Sequence, residues 1–402
     1  MRVLISGASI AGPVLAYWLT RRGFDVTVVE RAPVLRKTGG HAVDLFRPAM
    51  DISEQMGVLP QIEAHATGTD RLVINRAGSR RSVTVDYLKL QRVISDRHVE
   101  IMRDDLSQIY YDAARDDVEY VFGDEITAIA DDGHVTFAHG APRDYDVIVG
   151  ADGLHSGVRQ LVFGPDAGQS RFLGGHLAVL SVPKTLAREG ESTCILDVDR
   201  LAMIYTADHL DDARAVFMFH PPAPLEYDHR DDARQRQFLR DAMIGLGPTV
   251  DGWLAELDGG GAFYFDSITQ LELTSWSRGR VTLVGDAGYC PGPAVGGSTS
   301  LAVLGAYVLA GELERAAGDH TAAFSAYEQV MTPPVIGSRA MARTMAKTII
   351  PSSSPGVWAL ITLARAVSLL PQRLTSAIAN LNDKGVRLYD TMRAPDYPLP
   401  VT

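Results

Sequence analysis

The sequence predicts an α/β protein: a parallel, nucleotide-binding type of sheet, interrupted by an antiparallel sheet and followed by C-terminal helices. Three observations carry that prediction. Apolar runs that end in glycine and an acid occur three times, around residues 2–31, 147–153 and 281–286. Between the second and third, short segments alternate apolar and polar residues, the period of strands with one buried face. Beyond residue 298 the apolar residues recur at helical spacing.

The first run reads RVLISGASIAGPVLAYWLTRRGFDVTVVER, a strand, a small-residue turn, a helix and a second strand. Gly7 permits the tight turn, Ser9 stands where the chain would pass a phosphate, and Gly12 lets the helix pack closely on the sheet. Ile10 and Ala11 open the helix, whose free N–H groups and partial positive charge suit a pyrophosphate. Pro13 falls in the first turn, where its missing N–H has no intrahelical partner to lose. Glu30 ends the second strand, placed to accept ribose hydroxyls. Ser9 replaces the middle glycine of the usual G-x-G-x-x-G pattern. The unit predicts dinucleotide binding without saying which dinucleotide.

With 402 residues, 46% of them hydrophobic, the chain is long enough for a large core and more than one domain. A net charge of -11 argues against a nucleic-acid binder, which needs clustered cations. The stretch 331–402 is locally basic, with eight Lys or Arg against three Asp, which reads as solvated helical faces rather than a membrane surface. Cys194 and Cys290 are isolated, which is neither a disulfide framework nor a zinc pattern and suits a reducing cytoplasm. The longest late apolar segment, 357–370, is interrupted by Arg365 and too short to span a bilayer. A cytoplasmic protein without metal follows as the expectation.

Along the chain, residues 32–45 read as a glycine-bearing loop and 47–62 as one helix. Segments 72–74 and 82–85 read as a strand pair, and 100–114 as a helix. Residues 118–122, 126–130 and 135–138 form an expected strand ladder with a turn at Asp131-Asp132-Gly133. Residues 145–150 are a buried strand entering Ala151-Asp152-Gly153. The middle carries strands at 177–182, 201–206, 215–220 and 262–273, with helices at 231–246 and 250–257. After the strand 280–284 and Gly285-Asp286, a helix spans 298–313, and the remainder is helical with expected breaks at Pro333-Pro334 and at 351–356. The expected domains are therefore 1–75, 100–165 and 276–330 for the nucleotide, 76–99 and 166–275 for the substrate, and 331–402 as a helical region.

Two stretches, VIVGADGLHSGVR and RVTLVGDAGYCPGPAVGGSTSLAVLGAYVLAGEL, repeat the pattern of buried strand, glycine and aspartate. An aspartate at the carboxyl end of such a strand lies where open α/β sheets hold their ligands. Together with the N-terminal unit, this set resembles the class A flavoprotein monooxygenases, the aromatic-hydroxylase family of the para-hydroxybenzoate hydroxylase and tetracycline-monooxygenase type. The likeness covers most of residues 1–320 and implies FAD as cofactor. It implies that Gly7, Ser9, Ile10, Ala11 and Gly12 cradle the pyrophosphate, with Glu30 and Arg31 at the adenosine ribose. Arg103, in EIMRDDL, matches the arginine that contacts FAD at a helix start. Asp44, in GGHAVDL, matches a flavin-side aspartate, and Arg36 a nearby arginine implicated with NADPH. Asp152 and Gly153 form the shared Asp-Gly motif. Asp286 would bind the ribityl and pyrophosphate region, with Pro293, Gly296 and Gly297 beside the isoalloxazine. Many relatives have GDAAH where this chain has Gly285-Asp286-Ala287-Gly288-Tyr289, and a GQG-type turn where it has Val295-Gly296-Gly297.

The resemblance further implies that NADPH or NADH reduces the flavin transiently. O2 would then add at C4a, and the hydroperoxide would hydroxylate a small aromatic or polycyclic substrate in a pocket that excludes water. Met203, Tyr205, Phe217, Phe219, Phe263 and Phe265 alternate on the middle strands and offer an apolar lining. His176, His220 and Gln270 are its polar candidates, since a histidine beside a phenol can take its proton. An alternative reading keeps the flavin as a structural element of a non-redox cyclase or ligand-holding protein.

Overall fold

The computed structural model describes residues 1–35, 40–164, 167–228, 231–293, 297–371 and 388–399, apart from the side chains of residues 93 and 169. Arg36 and Gly296, and much of the expected helical region after 371, lie outside the described residues.

The strand Arg2–Ser6 is the centre of a six-stranded sheet. It pairs in parallel with Asp25–Glu30 on one side and with Val147–Gly150 on the other. Glu119–Phe122 extends the sheet beyond Asp25–Glu30, and Val281–Leu283 beyond Val147–Gly150; the short Ser277–Arg278 closes that edge antiparallel. These strands read as continuous apolar runs because both of their faces are buried, in a core shared with the mutually packed helices Ala11–Thr20 and Ser298–Arg315 and with Ile126 and Val135 of the small antiparallel strands. The register levels their carboxyl ends: Ser6 stands opposite Val29 and Gly150, and Gly150 opposite Leu283. All three glycine–acid units therefore open on one rim.

A seven-stranded sheet stands beside it, ordered Phe263–Glu272, Gln169–Pro183, Asp212–Phe219, Arg200–Tyr205, Glu191–Asp197, Arg71–Arg76 and Ser82–Asp86. It is antiparallel except for Glu191–Asp197 against Arg71–Arg76, which run parallel. Arg71–Arg76 belongs to this sheet, so the sheets divide before residue 71 rather than after 75. One face, with Ala178, Leu180, Ile204, Ala215 and Phe217, packs under the helices Asp232–Met243 and Pro248–Ala255. The other, with Leu177, Val179, Tyr205, Val216, Met218 and Ile268, meets the long helix His320–Ile349 and Ser354–Leu369.

Several elements differ from the sequence pattern. Residues 42–46 form a strand, Ala42–Phe46, paired with His98–Met102, so the helix expected from residue 100 begins at Arg103. The expected helix 47–62 divides at Gly57, whose φ is +76°, into Arg47–Gln55 and Leu59–Ala64. Glu119–Phe122 leaves the expected ladder for the parallel sheet; Ile126–Ile129 pairs with His134–Phe137, whose other edge carries Arg143–Asp144. The helix His320–Ile349 runs through Pro333 and Pro334. Its buried stripe, Tyr327, Met331, Val335, Ser338 and Ala342, continues on both sides, so packing outweighs the lost hydrogen bonds.

Candidate active site

At the rim, Gly7 has φ +108°, and a Cβ there would stand 2.6 Å from the Ala151 carbonyl oxygen. A Cβ on Gly12 would stand 1.9 Å from the Gly7 oxygen. The turn is thus closed by backbone against backbone and admits no side chain at either glycine. The helix Ala11–Thr20 starts at Ile10 with no side-chain cap, and Ser298–Arg315 starts at Gly297 with none either. Both helices keep their first N–H groups for another partner. Gly285 sits between them, a Cβ there lying 3.3 Å from Ala302 and 3.5 Å from Ala11.

The acids arrive at the same place. Glu30 accepts the Ala8 N–H at 2.9 Å and the Ala32 N–H at 2.8 Å, which fixes its carboxylate against the turn with lone pairs to spare. Arg31 beside it is exposed. Asp152 accepts the Val158 N–H at 3.1 Å on one oxygen, while its other oxygen is buried with no partner among the described residues. Burial raises the pKa of Asp152, and that of Asp286 too, where the charge of Arg103 opposes the rise. Gly153 takes φ +80° in this turn. Arg103 begins its helix with its N–H on the His41 oxygen, and its guanidinium donates to Ser9 Oγ at 3.2 Å. Among the described residues it has no carboxylate within ion-pair range, so an anion can take the vacant donors.

Asp44 is paired with His98, Oδ1 to Nε2 2.6 Å, while its backbone oxygen receives the Ser300 hydroxyl at 3.4 Å. It therefore borders the start of the second helix. Across the strand pair from it, Glu100 accepts hydrogen bonds from Thr67 at 2.5 Å and Tyr87 at 3.0 Å. Burial and the nearby Asp44 charge push the Glu100 pKa up. Pro293 lies in the turn that precedes Gly297. Gly297, at φ +62°, is backed by Tyr389, whose hydroxyl donates to its carbonyl at 3.2 Å and whose ring stacks on Phe46 at 4.8 Å. Tyr289, at the relatives' histidine position, is buried in the core and receives a hydrogen bond from Tyr327 at 3.0 Å.

The substrate-side candidates separate by strand parity. Tyr205 lies on the face toward the long helix, its phenol oxygen accepting the Ala42 N–H at 2.7 Å. Gln270 is fully buried and donates to the Pro291 and Arg339 carbonyls while accepting from Arg343, so it fastens the backbone at Pro291 to the long helix. His220 bonds Asp199 at 3.1 Å and Ser352 at 3.2 Å, away from the rim residues. Phe217 and His176 are placed on the other side. Phe217 packs under the helices, and His176 lies among Phe172, Phe219, Phe265 and Tyr227. Burial lowers His176 to about 4, so it is neutral at pH 7. Phe219, Phe263 and Phe265 share that covered side.

Facing the rim instead are residues that sequence patterning passed over. His41 follows Gly40 and is lowered to about 4 by burial and by Arg103. Tyr264 lies 6.1 Å from it, ring to ring, and Arg103 and Asp286 both act on its titration. Asp266 receives the Tyr264 hydroxyl and contacts His155. Arg214 donates to the Gly40 oxygen at 2.9 Å from the seven-stranded sheet, while Asp104 accepts the Gly40 N–H at 2.9 Å from the nucleotide side. The signals were present: His41 adjoins the glycine pair, His155 follows Gly153 by two residues, and Tyr264, Asp266, Ile268 and Gln270 alternate. Which face they took was not.

Two open helix starts, a half-satisfied buried aspartate, an arginine without a carboxylate partner among the described residues and a turn too tight for a side chain together fit a dinucleotide carrying a pyrophosphate. Comparison with known proteins agrees. The family described as FAD binding domain matches residues 1–323. A protein of Mycobacterium tuberculosis is 40% identical over 81% of this chain and 88% of its own length. A flavin-dependent monooxygenase of Legionella longbeachae is 36% identical over 82% of this chain and 85% of its own. The crystal structure of the tetracycline destructase Tet(51) superposes with a TM-score of 0.83, 31% identity, and coverage of 98% and 99%. The chain belongs to the FAD-dependent monooxygenases of the aromatic-hydroxylase family.

Proposed function

We propose that the protein uses NADPH or NADH and O2 to hydroxylate a small aromatic or polycyclic molecule. The observation that supports this most is the convergence of Asp286, Arg103 and Asp152 on a rim that faces His41, Tyr264 and Tyr205, a polar cofactor wall opposite an aromatic one. Bound FAD would supply the electron transfer and oxygen activation that no side chain here provides. Gly7, Ser9, Gly12 and Glu30 hold its adenosine half, and Arg103, Asp152 and Asp286 its pyrophosphate and ribityl chain. Asp44 and the backbone around Pro293 and Gly297 border the ring, with Arg31 at the outer edge. Neutral His41 and Tyr264 orient a hydroxylated ring by hydrogen bonding, and the sheet behind them keeps water away.

The test is flavin absorbance after anaerobic mixing with NADPH or NADH, then NAD(P)H oxidation with a panel of phenols and tetracycline. Bleaching and substrate-stimulated oxidation are expected. A flavin that never bleaches would sink the redox reading in favour of a protein that holds FAD without using it.

A further inference from the structure

The seven-stranded sheet carries a second concave site, on the face that packs under the helix Pro248–Ala255. Beside Trp253 of that helix the face opens into a recess of about 310 Å³, roughly ten times a water molecule's share of liquid volume. Its floor is Val73, Thr193 and Ile204, which stand level with one another on three neighbouring strands. Trp253 and Leu186 supply apolar walls. The register puts Glu191 at one end of the floor and Asn75, with Ser82 opposite it, at the other. Four residues of strand separate those ends, about 13 Å. Glu191 is only 8% exposed. Its Oε1 accepts the Thr193 hydroxyl at 3.1 Å, while Oε2 has no hydrogen-bond partner among the described residues. Arg188 lies 4.0 Å from Oε1 with its side chain 82% exposed, so solvent screens that pair. Arg71, level with Glu191 on the next strand, is paired with Asp70 instead. A carboxylate this far out of water is costly to leave half-satisfied.

We propose that this recess binds a small organic cation, a protonated primary amine on a short apolar body, at a site separate from the cofactor rim. Charge selects the class, because the Glu191 carboxylate repels anions and attracts an ammonium group. One unpartnered oxygen suits a single N–H donor better than the fork of a guanidinium, which pairs with both carboxylate oxygens at once. A metal ion needs more ligands than Glu191, and the described residues contain no group of three acids, histidines or cysteines able to hold one. The apolar body of the amine covers Val73 and Ile204 and lies against Trp253, which takes its surface out of water. Ile204 is followed by Tyr205, and the two side chains stand on opposite faces of the sheet. The amine and a molecule at the rim therefore occupy opposite sides of one strand, and both can be bound at once.

The experiment titrates the full-length, FAD-loaded protein with phenethylamine at pH 7 by isothermal calorimetry, with saturation-transfer NMR to confirm contact. Saturable binding of one amine per chain is expected, with the flavin spectrum unchanged. Glu191→Gln keeps the shape and removes the charge, and it should weaken binding at least tenfold, the scale of one hydrogen bond to a charged group. The probe 2-phenylethanol, of the same shape without the charge, should bind wild type at least tenfold more weakly than the amine does. Ser82→Trp, at an exposed strand position, fills the recess from its far end and should abolish binding while Glu191 stays intact. Thermal midpoints recorded on both variants establish that they are folded. Wild-type affinity in Glu191→Gln or in Ser82→Trp would overturn the proposal, as would equal affinity for the amine and the alcohol, or no saturable binding to wild type.

Discussion

Asp286 lies within range of the Arg103 charge, which opposes the rise that burial imposes on its pKa, and both belong to the proposed cofactor site. The Asp286 side chain follows a buried strand, and burial already raises its pKa. Asp286→Ala removes a charge-assisted acceptor worth about 1.5–3 kcal/mol. FAD should bind about tenfold to a hundredfold more weakly, seen as lost yellow colour after gel filtration with unchanged circular dichroism. His176 gives a prediction of another kind. Its folded pKa, about 4, lies below the ordinary histidine value of 6.5 because burial disfavours the imidazolium. Between those values the unfolded chain binds the proton and the folded chain does not, so stability is full above pH 6.5 and falls as pH drops toward 4. The loss approaches about 3 kcal/mol for this one residue. His176→Phe matches the aromatic surroundings and removes a buried Nδ1 that has no partner among the described residues. The variant should keep its stability at pH 7 and lose less of it on acidification, as denaturant midpoints at pH 7 and pH 5 will show.

Among the elements, the helix Ser298–Arg315 is the one on which the others depend. It packs on Ala11–Thr20, carries the open start at Gly297, and is buried along nearly its whole length. Close approach is made possible at Gly305, where a Cβ would stand 1.9 Å from the Tyr289 hydroxyl. That hydroxyl also shares a hydrogen bond with the Tyr327 hydroxyl at 3.0 Å, and the Tyr327 oxygen lies 3.0 Å from the Leu283 carbonyl oxygen. Gly305→Ala must therefore displace a tyrosine from a packed network. It should cost about 1–3 kcal/mol, read as a lower thermal midpoint, and weaken FAD binding through the displaced Asp286 turn. The composition of this helix announced its burial, since it is apolar on all sides. The strand Ala42–Phe46 had no comparable signal, because a five-residue strand paired with one neighbour resembles the glycine-bearing loop that precedes it.

At the scale of the molecule, function depends on two sheets and the C-terminal helices being held in register. Gln270 is one of the fasteners, with hydrogen bonds to the Pro291 and Arg339 carbonyls and from Arg343. Gln270→Ala leaves buried carbonyls unpaired and should cost about 2–3 kcal/mol. A denaturant midpoint shift with weaker FAD retention is expected, because the Pro291 turn loses its tether. The Gly40 backbone is a second fastener, held by Asp104 from one side and Arg214 from the other. Among the described residues no helix is long and apolar enough to cross a membrane.

The sequence by itself determined the three strand–glycine–acid units and their order, and hence the nucleotide sheet and the family. That information is local: a turn that admits only glycine, an acid at a strand's end and an apolar helix are each written in a few neighbouring residues. Only the tertiary structure decided which side of the seven-stranded sheet faces the glycine–acid rim. Tyr205 and Tyr264 reached that side, whereas Phe217 was covered by Asp232–Met243 and Pro248–Ala255 and His176 by the rings of Phe219, Phe265 and Tyr227. A strand's alternation defines two faces without naming either, and the face is chosen by which helices pack against it. For the same reason the contact of His155 with Asp266 is invisible in the chain, where the two lie 111 positions apart, and evident once the two sheets meet.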